Sequence, residues 1–203
     1  MILGLTGMSG AGKSTAAKLF AENGFCVIDC DTLAREIITR SPCVDEVKTN
    51  FPEVFTDDNF DRKKAAKVLF SNPQKLQQYQ KIVFPYVTYG IIKEIEKSKD
   101  NILLDAPTLF QSKADDFCDE IIAVIADKSM CVERIVERDS VTENDAVMRL
   151  NNQPQSEFFK NKCDYIIENN GDTNDFKKEI EKISNSYTNL NNTNCSSTDN
   201  TCY

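Results

Sequence analysis

The sequence of 203 residues contains no histidine, and this absence narrows the chemistry open to it. Histidine is the commonest metal ligand and the commonest general base near neutral pH. Any proton transfer must therefore use a carboxylate, a lysine, a tyrosine or water. The eight cysteines include no C-x-x-C pair, and most lie in apolar segments, which is typical of buried cysteines in a reducing compartment. We therefore expect no cysteine-based metal site.

Long hydrophobic runs and an excess of positive charge are also missing. No apolar run approaches the ~20 residues that a bilayer span needs, and the first residues lack the basic start and apolar stretch of a signal peptide. The net charge is −8 and the pI is near 4.7, which argues against a nucleic-acid binder. We expect a cytoplasmic protein with small-molecule substrates, without a nucleic-acid or membrane partner and without an obligate protein partner.

Glycine is scarce, and its distribution is informative. The chain has only seven glycines, and four of them, at positions 4, 7, 10 and 12, lie in the first twelve residues. The segment GMSGAGKS at 7–14 fits G-x-x-x-x-G-K-[ST] between an apolar strand and a helix, the pattern of a phosphate-binding loop. Glycine lets successive N–H groups surround an anion. We predict that the nucleotide phosphates are bound by Ser9, Gly10, Ala11, Gly12, Lys13, Ser14 and Thr15, with Lys13 at the β- and γ-phosphates and Ser14 at Mg²⁺.

Two other interpretations of these patterns are possible. The glycine segment could be an ordinary turn with a chance lysine. The chain could also be a GTPase, because NKCD at 161–164 matches N-K-x-D, which reads guanine. In GTPases, however, that motif follows its strand, whereas here the apolar run comes after it, and D-x-x-G does not occur in the sequence. A kinase of a small metabolite explains the pattern better.

The order of apolar runs and helical patterns predicts an α/β fold with a parallel sheet. We predict strands at 2–6, 25–29, 102–105, 121–126 and 165–168, and helices at 13–22, 31–39, 127–138 and 172–186. Two excursions interrupt this order. We divide the chain into a nucleotide-binding core (1–60, 97–138 and 164–187), a helical acceptor-binding insert (61–96), a lid (139–163) and a disordered polar tail (188–203). Thr142 is the predicted cap of a lid helix.

The segment FCVIDCDTLAREI, at 25–37, contains two aspartates beside two cysteines. On an extended strand, alternate residues share a face, so Asp29 and Asp31 would point away from Cys26 and Cys30. Asp31 could accept the proton of an acceptor hydroxyl during phosphoryl transfer. Alternatively, it could cap a helix that begins at Thr32.

Asp105 and a pair of arginines are further candidates. Asp105 ends an apolar strand and could order water around Mg²⁺, or it could belong to a strand-end turn before a proline. Arg134 and Arg138 lie four apart on one helical face and could neutralise charge on the transferring phosphoryl group. Their alternative role is pairing with Glu133 or Glu137. Arg149, in the lid helix, is the next candidate.

Several segments together resemble one known family. These are GLTGMSGAGKST, VIDCDTLA, FDRKKAAKVLF, LLDAPTLF, ERIVERD and RLNNQ…CDYIIENNG, in the family's order over about residues 1–186. They are similar to those of dephospho-CoA kinases, which transfer the γ-phosphate of ATP to the ribose 3′-hydroxyl of dephospho-CoA in the last step of coenzyme A synthesis. The resemblance implies ATP and Mg²⁺, and a P-loop nucleotide-kinase-like fold of five parallel strands flanked by helices, with a helical acceptor-binding insert and a small helical lid.

The resemblance also implies roles for individual residues. Lys13, Asp31 and Arg138 are the implied catalytic residues, with Asp31 as the base, and Ser14 is the implied metal ligand. Arg138, Arg149 and Asn169 join the loop in binding ATP, with Asn169 near the adenine, and Gln153 completes the lid pattern R-x-x-x-Q. The implied acceptor-binding residues are Asp31, Arg62, Asp105 and Pro107.

Three positions depart from the family's pattern. The usual His-Pro of the insert is Phe84-Pro85, a glutamate is replaced by Gln111, and the lid lysine is replaced by Phe159. These changes bear on how the acceptor is bound, and Lys63, Lys64 or Lys160 could compensate for them. The alternatives that stay open are a P-loop kinase of another small metabolite, such as a nucleoside or a sugar acid, and a nucleotide-binding protein without catalysis.

Overall fold

The computed structural model describes residues 1–194, which form two compact units. One unit is Ile28–Lys97, and the other comprises Met1–Val27 and the described residues from Ser98 onward. The strands are β1 (Ile2–Gly7), β2 (Cys26–Asp29), β3 (Phe55–Thr56), β4 (Asn59–Phe60), β5 (Ile102–Asp105), β6 (Glu120–Ile125) and β7 (Tyr165–Glu168). The α-helices are α1 (Lys13–Glu22), α2 (Cys30–Ile37), α3 (Cys43–Asn50), α4 (Arg62–Phe70), α5 (Pro73–Lys97), α6 (Lys128–Asp139), α7 (Glu143–Asn151), α8 (Ser156–Lys162) and α9 (Thr173–Asn194).

A five-stranded parallel sheet has the strand order β2-β5-β1-β6-β7. Each of the five predicted strands is present, with its ends within one residue of those expected, and the predicted α/β class is confirmed. β1 lies in the centre, where Leu3 pairs with Leu103 on one side and with Glu120 on the other. This register places the loop after β1 at the carboxyl edge of the sheet, where α/β proteins bind their ligands.

The core of this unit is formed by the sheet and the helices that cover it. Leu5, Ile122 and Ile167 on the strands are fully buried, as are Phe20 of α1 and Ile180 of α9. Complete burial of one such side chain contributes about 1.5–3 kcal/mol. The apolar runs that predicted the strands are therefore also the runs that stabilise the sheet.

The segment predicted as a lid contains α7 and α8. Thr142 caps α7 as predicted, because its Oγ1 accepts a hydrogen bond from the Asp145 N–H at 3.2 Å. In α8, Phe159 is buried and packs edge-to-face against Phe158, with 5.5 Å between ring centroids. The side chain that replaces the expected lysine is therefore part of the core. Lys160, considered as a compensating cation, pairs with Glu168 at 3.2 Å.

The unit Ile28–Lys97 contains α2 to α5 and the short β3–β4 hairpin. It includes the predicted insert, 61–96, but begins before it, at Ile28. Asp61 caps α4, because its Oδ1 accepts from the N–H groups of Lys63 and Lys64 at 3.0 Å. Phe84 and Pro85 lie within α5, where Phe84 is half-buried.

The last helix is longer than predicted. We expected helix to end at 186 and a disordered tail from 188, but α9 continues to Asn194. Adding a residue to an existing helix requires no new nucleation, so polar residues of modest propensity can extend it. The remaining predicted tail, residues 195–203, lies outside the described residues. In the part of the chain that the structure describes, no helix is long and apolar enough to cross a membrane.

Candidate active site

The predicted phosphate loop connects β1 to α1, and its shape depends on Gly12. Gly12 is the N-cap of α1 with φ 105°, a conformation that L side chains rarely adopt. A Cβ at this position would also collide with the Asn169 side chain. Only glycine meets both conditions, so the G-K-S spacing corresponds to a real steric requirement of this loop.

The first turn of α1 offers backbone donors at the end of the loop. Its cap, Gly12, has no side chain, and Lys13, Ser14 and Thr15 are the first three helical residues. The first N–H groups of a helix generally have no acceptor within it, although that of Thr15 donates to the Gly12 carbonyl at 3.0 Å. The helix dipole is positive at this end. Ser14 and Thr15 are exposed. This is the arrangement with which helices bind phosphate groups.

Lys13 and Asp105, two of the predicted site residues, form an ion pair. Asp105 is the last residue of β5, and the side chains of Lys13 and Asp105 are only 16% and 13% exposed. Charged groups removed from water to this degree need a partner. The pair therefore places the Lys13 ammonium beside a carboxylate at the carboxyl edge of the sheet.

Two side chains from outside the loop bind its carbonyl groups. Asn169 follows β7, and its Nδ2 donates to the Ala11 carbonyl at 2.8 Å. Arg134 of α6 donates from Nη2 to the Asn169 carbonyl at 3.1 Å and from Nη1 to the Gly10 carbonyl at 3.4 Å. Sequence reasoning placed Asn169 near the adenine and considered Arg134 for the phosphoryl group. In the structure these side chains contact the backbone of the loop and of the end of β7. Their roles at the adenine and at the phosphoryl group stay predictions.

Gln153, which completes the R-x-x-x-Q pattern, also binds the loop. Its Oε1 accepts from the Ser9 N–H at 3.1 Å, and its Nε2 donates to the Ser9 Oγ at 2.9 Å. One amide therefore satisfies both the backbone and the hydroxyl of Ser9. The segment after α7 is thereby joined to the phosphate loop.

Arg138 and Arg149 converge on Asp139, a residue that sequence reasoning missed. Arg138 donates from Nε and Nη2 to the two carboxylate oxygens at 2.7 and 2.8 Å, and Arg149 donates from Nη1 at 2.5 Å. Hydrogen bonds hold the pKa of the Asp139 carboxyl far below its usual value; those from Arg138 have the larger effect and that from Arg149 the smaller. The partner of Arg138 is thus Asp139, and not Glu133 or Glu137 as the alternative interpretation had it. Sequence offered one signal, the adjacent Arg-Asp pair at a helix end.

Asp29 and Asp31 differ from the expected arrangement. α2 begins at Cys30 rather than at Thr32, so the two aspartates do not lie on one extended strand. Asp29 is the cap: its carboxylate accepts from the Thr32 N–H at 2.9 Å and from the Thr32 Oγ1 at 2.7 Å. Asp31 is half-buried in the first turn of α2. The capping role proposed for Asp31 therefore belongs to Asp29.

Arg62 lies at a cavity inside the unit Ile28–Lys97. The cavity has a volume of about 240 Å³, with Arg35 and Arg62 among its lining residues and an apolar lining that includes Phe60, Leu69 and Tyr79. Burial raises the pKa of Tyr79 to about 12. The cavity therefore combines an apolar surface with two guanidinium groups, which suits a ligand that has apolar and anionic parts.

Two further predictions concern Pro107 and the cysteines. Pro107 is exposed, and its carbonyl accepts a long hydrogen bond of 3.4 Å from the Thr6 Oγ1. Cys30 is buried, and its Sγ donates to the Ile28 carbonyl at 3.7 Å. Within residues 1–194, no three Cys, Asp or Glu side chains are grouped so as to hold a metal ion.

Mg²⁺ in a nucleotide site does not need three side-chain ligands from the protein. It prefers oxygen, and nucleotide enzymes usually bind it through one or two protein oxygens together with phosphates and water. The exposed hydroxyl of Ser14 and the carboxylate of Asp105 supply oxygen ligands of this kind. The residues present therefore fit a nucleotide-bound Mg²⁺.

A glycine phosphate loop on a five-stranded parallel sheet, with arginines on neighbouring helices, defines a P-loop kinase. The dephospho-CoA kinase (CoaE) family model matches residues 1–175. Dephospho-CoA kinases of Fusobacterium nucleatum and Arabidopsis thaliana are 37% identical over 187 residues and 33% over 189; each match covers 90% of this chain, and 96% and 82% of the relative. A Thermus thermophilus crystal structure, TT1252, has a TM-score of 0.82 at 27% identity and covers 90% of this chain and 95% of its own. The chain belongs to the dephospho-CoA kinase family.

Proposed function

We propose that this chain transfers the γ-phosphoryl group of ATP to the ribose 3′-hydroxyl of dephospho-CoA, giving coenzyme A and ADP. The observation that carries the proposal is the phosphate loop, in which Gly12 and the first turn of α1 present backbone donors beside the Lys13 ammonium. Membership of the family supplies the acceptor. The cytoplasmic location expected from the sequence stays a prediction.

In this proposal the loop residues from Ser9 to Thr15 bind the phosphates of ATP. The N–H groups of the loop and of α1 donate to phosphate oxygens, and Lys13 binds the β- and γ-phosphates. Bound Mg²⁺, held through Ser14, supplies positive charge to the phosphate oxygens. Arg138 and Arg149 contribute guanidinium groups to the transferring phosphoryl group, and bidentate guanidinium contacts suit its planar arrangement of oxygens.

Asp31 is proposed as the group that accepts the proton of the acceptor hydroxyl. Asp29, and not Asp31, caps α2, so capping does not occupy the Asp31 carboxylate. Arg62, Asp105 and Pro107 are proposed to contact the acceptor. The cavity beside Arg62, with its apolar lining and second arginine, supports a ligand with anionic and apolar parts.

The experiment measures ADP formation from Mg-ATP with dephospho-CoA, with no acceptor, and with a panel of nucleosides and sugar acids. ADP formation with dephospho-CoA, and with none of the other acceptors, supports the proposed acceptor. Turnover with another acceptor identifies a different small-molecule kinase. Binding of ATP without turnover with any acceptor identifies a nucleotide-binding protein without catalysis.

Asp31→Asn tests the proposed base. We expect kcat to fall by roughly 10²–10⁴-fold, the usual contribution of general base catalysis, while ATP affinity is unchanged. Asp45→Asn is the matched control, because Asp45 is also a first-turn aspartate of a helix in the same unit. Equal activities of the two variants would exclude Asp31 as the base.

A further inference from the structure

Arg138 and Arg149 each lie four residues along the chain from a residue that binds the phosphate loop. In α6, Arg134 contacts the Gly10 carbonyl, and Arg138 lies four residues later on the same face. Arg149 lies in the last turn of α7, four residues before Gln153, which binds Ser9. The loop is therefore contacted by α6 itself and by the segment that directly follows α7.

Asp139 lies where α6 ends, between these two arginines. It accepts two hydrogen bonds from Arg138 and one from Arg149. A guanidinium has five N–H donors, so these contacts use two donors of Arg138 and one of Arg149. Each arginine keeps donors with which to bind phosphate oxygens.

The charges in this cluster also favour a phosphate ligand. Two guanidinium groups repel each other at short range, and an intervening carboxylate allows them to stay close together. One negative and two positive charges leave the cluster net positive. Because the pKa of Asp139 is held far below its usual value, the carboxylate stays ionised at neutral pH.

We propose that Asp139 is a positioning residue that orients Arg138 and Arg149 together toward the phosphates of ATP. The inference rests on the proposed kinase function, since the arginines act on the transferring phosphoryl group. Asp139 itself does not touch the substrate. Its effect is to reduce the freedom of two long side chains before the nucleotide binds, which lowers the cost of bringing them to the reaction.

The test compares Asp139→Asn with Asp175→Asn. Asp175 is an exposed aspartate of α9 that pairs with Lys178, so it controls for loss of an ordinary surface ion pair. We expect Asp139→Asn to lower kcat by about 10-fold and to weaken Mg-ATP binding several-fold, with the KM for dephospho-CoA within about twofold. Asp139→Glu should restore part of kcat, and Asp175→Asn should match the wild type.

A double-mutant cycle separates orientation from general stability. The measured quantity is the affinity for Mg-ATP. Arg149→Ala should weaken Mg-ATP binding much less in the Asp139→Asn background than in the wild type, because the two residues act through one arrangement. Additive losses, or tighter ATP binding by Asp139→Asn, would overturn the proposal, the latter showing that Asp139 withholds the arginines from ATP.

Failure of the proposed function gives a different result. In that case the wild type does not turn over dephospho-CoA. The double-mutant cycle measured by Mg-ATP binding needs no acceptor, so it still tests the role of Asp139.

Discussion

At the scale of single residues, Lys13 combines an observed ion pair with a proposed role in phosphate binding. Its ammonium forms an ion pair with Asp105 at a site where both side chains are largely removed from water. The same ammonium is proposed to bind the β- and γ-phosphates of ATP. Nucleotide binding therefore has to redistribute the contacts of Lys13 between the carboxylate and the phosphates.

Lys13→Met should separate these two roles. We expect turnover to fall by about 100-fold or more, as for other donors aimed at developing charge. Stability should also fall, because the Asp105 carboxylate loses its ammonium partner. Turnover and urea denaturation of Lys13→Met, Asp105→Asn and the double variant measure both effects.

The double variant decides whether the ion pair stabilises the fold. Removing the carboxylate as well should recover part of the stability lost in Lys13→Met, while turnover stays low. If the double variant is no more stable than Lys13→Met, the Lys13–Asp105 pair does not account for the loss.

At the scale of elements, the phosphate loop and α1 depend on backbone conformations with positive φ, which glycine adopts readily. Gly12 and Gly24 lie at the two ends of α1, and both have positive φ, 105° and 87°. They differ in their surroundings. A Cβ at Gly12 would collide with the Asn169 amide, whereas nothing lies within 4 Å of a Cβ at Gly24.

Gly12→Ala and Gly24→Ala therefore form a matched pair. Both variants should lose about 1–2 kcal/mol of stability from the left-handed conformation. Only Gly12→Ala should also displace Asn169 from the Ala11 carbonyl, and we expect its ATP affinity to fall by at least about 10-fold, on the order of 1.4 kcal/mol. Thermal unfolding and ATP titration provide the measurements; equal ATP affinities in the two variants would contradict the steric argument.

The elements predicted from sequence are those with local signals. The apolar runs predicted the five strands, the glycine spacing predicted the loop, and Thr142 was identified as a cap from its own segment. Non-local contacts were beyond such signals. The bond from Asn169 to the Ala11 carbonyl spans 158 positions, and the convergence of Arg149 on Asp139 requires α7 to return alongside α6. The start of α2 was also misplaced, because two neighbouring aspartates could each have been the cap.

At the scale of the whole molecule, titratable groups limit stability on both sides of neutral pH. Hydrogen bonds from Lys75 to Glu53 and from Lys48 to Asp58 lower the pKa of these two carboxyl groups. Backbone N–H groups at the start of α4 lower the pKa of Asp61 in the same way. Such carboxylates stabilise the fold above their unfolded pKa, and this contribution is lost as pH falls through the folded value. All three are partners of surface groups, so each contribution is small.

Cys43 acts at the alkaline side, where it gives a sharper prediction. Burial, and secondarily Glu46, raises the pKa of this fully buried thiol in α3 from 9.0 to about 11. Above pH 9 the unfolded chain loses this proton while the folded chain keeps it. Stability should therefore fall between about pH 9 and pH 11, with a slope of roughly 1.4 kcal/mol per pH unit from this group.

Cys43→Ala should reduce the slope of stability against pH between pH 9 and pH 11, measured by urea denaturation at a series of pH values. Part of the slope should remain, because burial also raises the thiol pKa of Cys131 and Cys163. The matched control is Val47→Ala, because Val47 is also buried in α3 and has no titratable group. Truncation of Val47 leaves a cavity, so it should lower the free energy of unfolding by a similar amount at every pH, without changing the slope. An unchanged slope in Cys43→Ala would mean that the thiol keeps its ordinary pKa in the folded chain and that other groups cause the alkaline loss.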